Sequence, residues 1–276
     1  MKGKTSVKIA TILLPLTGLL ILLPKILQKL GLHPSYDKEV YDFTGKKALI
    51  ITTSTDTLGE DGGKTGVYAS EMTVPYYEFQ DANMTVDLAS IKGGVIPIEP
   101  NSLRYPLATE ADKKYLNDEE FLAKVARSLC IEDIDFLDYD LIFMAGGWGA
   151  AYDLGTSRVL GKQITKANHE DLILGSVCHG ALGFIQAEEI NGEPLVKDKM
   201  ITGVTNKQIK ELNINMTPLH PETELRRLGA NYQSDSGLVD ILKNLIVVDG
   251  NIVSGQNQNA GGETAQTMLK LLSLKS

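Results

Sequence analysis

The stretch 171–184, DLILGSVCHGALGF, decides the predicted fold. Its apolar run at 172–174 predicts a buried strand, and Cys178 follows where that strand turns into a helix-forming run. A strand that turns sharply into a helix around one reactive side chain is a nucleophile elbow. The crowded turn needs small residues two positions before and after the nucleophile, which Ser176 and Gly180 supply. The pattern favours a cysteine nucleophile over a buried structural cysteine, because a helix N-terminus favours the thiolate.

Strands and helices alternate along the rest of the chain. Besides the elbow strand, short apolar runs predict strands at 46–53, 85–90, 95–98, 138–145 and 200–204. Helical spacing, with Pro75 kinking or restarting the first helix, predicts helices at 67–83, 118–129, 157–169, 217–228 and 262–272. A tight hairpin is predicted around the sequence DGN at 249–251. This order predicts an α/β fold with a mostly parallel sheet between helices, and a site at the carboxyl ends of its strands.

Residues 1–35 differ in composition from the domain predicted at 36–276. Lysines at 2, 4 and 8 precede an uncharged stretch at 9–24, and Lys25 and Lys29 follow it. As a helix this stretch spans about 24 Å, slightly less than the ~30 Å hydrocarbon core of a bilayer. No small-x-small cleavage pattern occurs between residues 20 and 35. We therefore expect a membrane-inserted, uncleaved signal anchor with an extracytoplasmic catalytic domain, and a cleaved signal peptide as the second alternative.

Composition excludes several classes of function. The net charge is −8 and no basic cluster follows the first segment, which excludes a nucleic-acid partner. Two cysteines, Cys130 and Cys178, do not make a disulfide scaffold, and both are expected to be free. The four histidines show no zinc-ligand spacing, and neither GxGxxG nor GxxxxGK[ST] is present. We therefore expect neither a metal nor an organic cofactor.

Five motifs together resemble one protein family. They are KTGVYASE at 64–71, AGGWGAAYDL at 145–154, SVCHG at 176–180, ITGVT at 201–205 and NIVSGQNQNA at 251–260. In this order they resemble the ThiJ/PfpI superfamily, and within it the heat-shock chaperone and glyoxalase III-like branch. The resemblance covers about 46–272 and implies a flavodoxin-like fold related to class I glutamine amidotransferase domains.

The resemblance implies a set of catalytic residues. Cys178 corresponds to the nucleophile of the family, and His179 to the histidine that follows it. Glu71 corresponds to an acidic residue at the start of the first long helix, close to the thiolate. A carboxyl group there should have a raised pKa and could carry a proton at neutral pH. Gly147 and His179 correspond to the residues whose backbone N–H groups form the oxyanion hole.

Two positions depart from the family pattern. Trp148 stands where the family often has histidine, and it could form a lid over the substrate pocket or pack in the core. The family's third catalytic residue is an acid shortly after the strand at 201–205, where this chain has Ile209. Either the loop is shifted and Glu211 orients His179, or His179 has no carboxylate partner.

The resemblance implies a cysteine-dependent enzyme of small reactive carbonyls. The expected reaction is of the glyoxalase III type, the glutathione-independent conversion of methylglyoxal to lactate, or protein deglycation by the same chemistry. The alternatives are a thiol amidase or peptidase acting on an amide, and a stress chaperone whose thiol senses oxidants. All of these share the fold and the nucleophile, so the sequence does not separate them. Relatives are commonly dimeric, and we expect a homodimer.

Overall fold

A seven-stranded sheet forms the centre of the part of the chain that the computed structural model describes, which is residues 35–60, 62–214 and 216–275 together with 23, 26 and 29. The strands of the chain are β1 (Lys47–Thr52), β2 (Thr85–Ser90), β3 (Leu129–Cys130), β4 (Leu141–Met144), β5 (Ile173–Val177), β6 (Met200–Ile201), β7 (Asn231–Tyr232), β8 (Ile246–Asp249) and β9 (Ile252–Gly255). The order in the sheet is β3-β2-β1-β4-β5-β9-β8, and only β8 is antiparallel to its neighbour. Strands β6 and β7 form a separate parallel pair.

Helices cover both faces of this sheet. They are α1 (Ala69–Asp81), α2 (Glu110–Tyr115), α3 (Glu119–Ala126), α4 (Ala150–Asp153), α5 (Arg158–His169), α6 (Asn206–Glu211), α7 (Pro221–Arg227) and α8 (Gly261–Lys275). Several begin at side chains that cap the free backbone N–H groups of the first turn, as at Thr109, Asp118 and Ser157. The α/β fold with a mostly parallel sheet between helices is confirmed.

The sheet is apolar on both faces because each face packs against helices. In β1, Ala48 and Ile50 belong to the core under α1, α3 and α8, whereas Leu49 and Ile51 belong to the core under α4, α5 and α7. Alternate side chains of a strand point to opposite faces, so one apolar run serves both cores. This arrangement leaves the carboxyl ends of β1, β4 and β5 together at one edge.

The local structure differs from the prediction at three places. Helix α1 continues through Pro75 without a restart, because its buried face packs along α8 and this packing outweighs the lost hydrogen bond. The predicted strand at 95–98 does not form, and Ile98 makes a single bridge to Val67. The strand predicted at 200–204 ends at Ile201 and pairs with β7. Strand β7 is only two residues long, which is too short for pattern analysis to predict.

The prediction of a membrane anchor is wrong. The stretch 9–24 lies outside the described residues except for Leu23, and nothing structural is concluded from the rest of it. Among the residues that the structure describes, no helix is long and apolar enough to cross a membrane. The expectation rested on the composition of a stretch that spans only about 24 Å as a helix, and composition alone does not establish a membrane span. The predicted membrane partner and the predicted extracytoplasmic placement of the domain depended on this anchor and are wrong as well.

Candidate active site

The elbow places Cys178 immediately after β5 in a left-handed backbone conformation, with φ of 58°. Non-glycine residues rarely adopt this conformation, and strain of this kind occurs at functional sites. The predicted small residue at Gly180 is required, since a Cβ there would lie 2.1 Å from the carbonyl oxygen of Met144. The segment that follows is a 3₁₀ helix, Cys178–Phe184, instead of the predicted α-helix. Individual N–H groups, and not a long helix dipole, therefore act on the sulfur.

The sulfur of Cys178 lies at the bottom of a pocket and is almost completely buried, with 7% of the residue exposed. The backbone N–H groups of His179 and Gly147 lie close enough to it to lower the pKa of the thiol, and the Glu71 carboxyl group lies close enough to raise it. Two N–H donors and one carboxyl group thus converge on the sulfur. The structure brings together four of the predicted residues at this point.

Glu71 lies in the first turn of α1 with 1% of the residue exposed. Its Oε2 accepts a hydrogen bond of 2.8 Å from the N–H group of Gly146. Burial raises the pKa of the Glu71 carboxyl group to about 8, against the opposing hydrogen bonds from Cys178 and Gly146. The carboxyl group therefore carries a proton at neutral pH.

The pKa of Cys178 is also raised, first by burial and then by the negative charge that Glu71 would carry. The N–H groups of His179 and Gly147 oppose this shift, because they stabilise a thiolate. When Glu71 is protonated, the repulsion between the two groups disappears and the carboxyl group becomes a donor to the sulfur. A thiolate at Cys178 is therefore favoured only while Glu71 carries its proton, because the two negative charges would otherwise lie side by side.

Gly147 reaches the sulfur because it has no side chain. Its φ is 92°, and a Cβ at this position would lie 2.4 Å from the backbone nitrogen of Tyr68 and 2.5 Å from the carbonyl oxygen of Gly66. The turn after β4 is therefore pressed against the segment that leads into α1. This contact positions the N–H group of Gly147 over Cys178.

His179 is completely buried and neutral. Its Nδ1 lies 3.6 Å from the Cys178 sulfur, and its Nε2 has no hydrogen-bond partner among the described residues. Burial, with a smaller effect of nearby His220, lowers the pKa of His179 to about 3. Trp148 packs its ring edge-to-face against the imidazole, with centroids 5.2 Å apart, and also lines the pocket. Trp148 thus lines the pocket and packs beside the core, and its role as a lid over the pocket stays a prediction.

The structure does not bring Glu211 to His179. The Glu211 carboxylate accepts hydrogen bonds from the N–H groups of Asp240 and Ile241, at 3.1 and 2.9 Å. It closes a loop contact at the end of α6, and this fully accounts for its orientation. Of the two alternatives for the third catalytic position, the structure forms the one in which His179 has no carboxylate partner among the described residues. Glu211 as the orienting acid is therefore corrected.

A cavity of about 220 Å³ opens above the sulfur. Residues that were not assigned a role from the sequence complete its lining: Tyr68, Glu99, Asn101, Leu107, Val204, Gln208, Leu212, Ile214, Ile241, Asn257 and Gln258. Tyr68, Val204, Asn257 and Gln258 lie inside the quoted motifs, which was the available signal for them. The others come from loops and short helices whose positions only the tertiary structure determines. No cluster of three or more His, Cys, Asp or Glu side chains in the described part of the chain could hold a metal ion.

Comparison with known proteins agrees with this geometry. A model of the DJ-1/PfpI family matches residues 64–271, most of the chain. The chain belongs to the DJ-1/PfpI family. The resemblance to the ThiJ/PfpI superfamily is thus confirmed, and the elbow, the Glu71 carboxyl group and the glycine turn lie within the matched residues.

Named relatives in this DJ-1/PfpI family come from yeasts. Glyoxalase 3 of Candida albicans is 30% identical over 237 residues, which covers 81% of this chain and 97% of that protein. The glutathione-independent glyoxalase HSP31 of Saccharomyces cerevisiae is 26% identical and covers 80% of this chain and 95% of its own length. The matches thus span nearly the whole length of both relatives.

Solved structures give the same picture. The crystal structure of glyoxalase III from Candida albicans matches with a TM-score of 0.71 and 28% identity, covering 82% of this chain and 96% of that chain. The structure of Rapid Encystment Protein 24 kDa from Francisella tularensis matches with a TM-score of 0.76 and 30% identity, covering 82% and 99%. The described domain therefore has the architecture of complete DJ-1/PfpI chains.

Proposed function

We propose that this protein is a glutathione-independent glyoxalase that converts methylglyoxal to lactate. The observation that carries the proposal is the burial of the Glu71 carboxyl group and the Cys178 sulfur side by side in one pocket. A nucleophile with a proton carrier beside it is what the isomerisation of a 2-oxoaldehyde requires. The likeness to yeast glyoxalases over most of both chains supports the same substrate class.

The proposed reaction begins when the Cys178 thiolate adds to the aldehyde carbon. Glu71 protonates the resulting alkoxide, and the product is a hemithioacetal. The N–H groups of Gly147 and His179 stabilise negative charge on oxygen during this step. In the free enzyme the same groups donate to the sulfur.

The Glu71 carboxylate then removes the proton from C1 and delivers it to C2 through an enediol. This transfer oxidises C1 to a thioester and reduces C2 to an alcohol. Water hydrolyses the thioester, which releases lactate and one proton and regenerates the Cys178 thiolate beside protonated Glu71. The overall reaction is methylglyoxal plus water to lactate plus one proton, so no external oxidant or reductant is consumed.

The test is methylglyoxal consumption and lactate formation without glutathione. We expect Cys178→Ala to reduce both to the uncatalysed rate. The matched control is Cys130→Ala, since Cys130 is the other free cysteine and lies on edge strand β3, outside the pocket. Full activity in Cys178→Ala, or equal loss in both variants, would contradict the proposal.

A homodimer is part of the proposal and rests on the likeness to the family. Light scattering on the purified chain distinguishes a mass of one chain from a mass of two. A monomer that retains full activity would remove the dimer from the proposal without affecting the chemistry.

A further inference from the structure

Large apolar side chains make up part of the pocket lining. We call Leu107, Trp148, Leu212, Ile214 and Ile241 the apolar wall. Leu107 and Leu212 remain 39% and 37% exposed, which is high for side chains of their size. Apolar surface that faces a cavity beside a nucleophile is available to bind the part of a substrate that does not react.

Three polar side chains of the pocket, those of Glu99, Gln208 and Asn257, are already bonded within the protein. Glu99 accepts hydrogen bonds from the backbone and side-chain nitrogens of Asn101, at 3.3 and 3.0 Å. The amide nitrogen of Gln208 donates to the carbonyl oxygens of Asp240 and Lys243. The amide of Asn257 also donates to the Lys243 carbonyl oxygen. A bound substrate therefore needs no polar atoms to satisfy the hydrogen bonds of these groups.

The charge of the pocket favours neutral ligands. None of its described lining residues is lysine or arginine, whereas Glu71 and Glu99 both carry carboxyl groups. A phosphate or carboxylate on the substrate would lose its hydration and find no cation to replace it. The substituent beyond the reacting carbons is thus expected to be uncharged.

The volume exceeds what methylglyoxal needs. A dry apolar cavity of about 150 Å³ is large enough to bind benzene. The cavity here has about 220 Å³, which leaves room for a six-membered ring joined to two carbonyl carbons. The single methyl group of methylglyoxal would leave much of the apolar wall uncovered.

We propose that the pocket prefers neutral 2-oxoaldehydes with a bulky apolar substituent, such as phenylglyoxal, over methylglyoxal. This inference rests on the glyoxalase function proposed above and names its substrate class. The chemistry is unchanged, since phenylglyoxal plus water gives mandelate by the same proton transfer from C1 to C2. The ring would lie against the apolar wall while the aldehyde carbon faces Cys178.

The first test compares kcat/KM for phenylglyoxal and methylglyoxal in the wild-type chain without glutathione. We expect phenylglyoxal to be preferred about tenfold or more, because buried apolar groups contribute selectivity of this order. Turnover of methylglyoxal with an equal or higher kcat/KM would overturn the inference and leave the proposed function standing. Turnover of neither substrate would overturn both.

The second test separates pocket binding from the intrinsic reactivity of the two aldehydes. Leu212→Ser removes part of the apolar wall, and we expect the phenylglyoxal-to-methylglyoxal ratio to fall about threefold or more. The matched control is Leu122→Ser on α3, which has the same 37% exposure but lies outside the pocket and should leave the ratio unchanged. If Leu212→Ser does not fold by circular dichroism, Leu107→Ser replaces it. An unchanged ratio in the folded wall variant would overturn the inference.

Discussion

At the scale of single residues, the chemistry of Cys178 depends on opposing effects around one sulfur. Burial raises its pKa, and the N–H groups of His179 and Gly147 lower it. The protonation state of Glu71 determines whether a thiolate is tolerated, because protonated Glu71 carries no negative charge beside the sulfur. The neutral imidazole of His179 contributes no charge, so its backbone N–H group matters more than its ring.

We expect Glu71→Gln to lower kcat for methylglyoxal by about 10²- to 10⁴-fold, since the amide keeps a hydrogen-bonding group but carries no proton between carbons. The control is Glu78→Gln, two turns further along α1 and equally buried, which should retain activity near the wild-type value. Steady-state kinetics at neutral pH measures both. Wild-type kcat in Glu71→Gln would show that another group moves the proton.

At the scale of elements, α1 connects the site to the start of the domain. Glu78 accepts hydrogen bonds from the Tyr36 hydroxyl group and the Gln266 amide, both at 2.6 Å, and forms an ion pair with Lys38. One buried carboxylate therefore ties the segment before β1 and helix α8 to α1.

We expect Glu78→Ala to reduce the free energy of unfolding by about 3 kcal/mol, because it leaves buried polar partners unpaired. Urea denaturation followed by circular dichroism measures the change. Glu39→Ala in the same segment is the control, since its exposed ion pair with Lys270 should contribute less than about 1 kcal/mol. Equal losses in the two variants would argue against the connecting role of Glu78.

At the scale of the whole molecule, the buried site makes stability depend on pH. The pKa of Glu71 is about 8 in the folded chain and 4.5 for an unperturbed glutamate, which represents the unfolded chain. Between pH 4.5 and 8, therefore, only the folded chain holds this proton. Folded-state proton binding of this kind makes stability fall as pH rises. The pKa of His179 is lowered, so its effect has the opposite sign and lies below about pH 6.5.

We expect the wild-type chain to lose about 2 kcal/mol of stability between pH 6.5 and 8, from 1.36 kcal/mol per pH unit for one proton. In Glu71→Gln this loss should disappear, because the amide does not titrate. Urea denaturation at pH 6.5, 7.2 and 8 in both chains measures the slope. A wild-type stability that stays constant across this range would mean that Glu71 is ionised throughout.

Resemblance to a family indicated Glu71 as a site residue, and the sequence by itself determined the alternation of strands and helices and the elbow at Cys178. Local patterns suffice for these, since apolar periodicity and small residues at a crowded turn act within a few positions of the chain. It did not determine that α1 runs through Pro75 or that Glu211 bonds to the loop at Asp240. Those outcomes depend on packing between segments that are distant in the chain. The apolar wall likewise exists only because the fold brings four separate segments of the chain to one pocket.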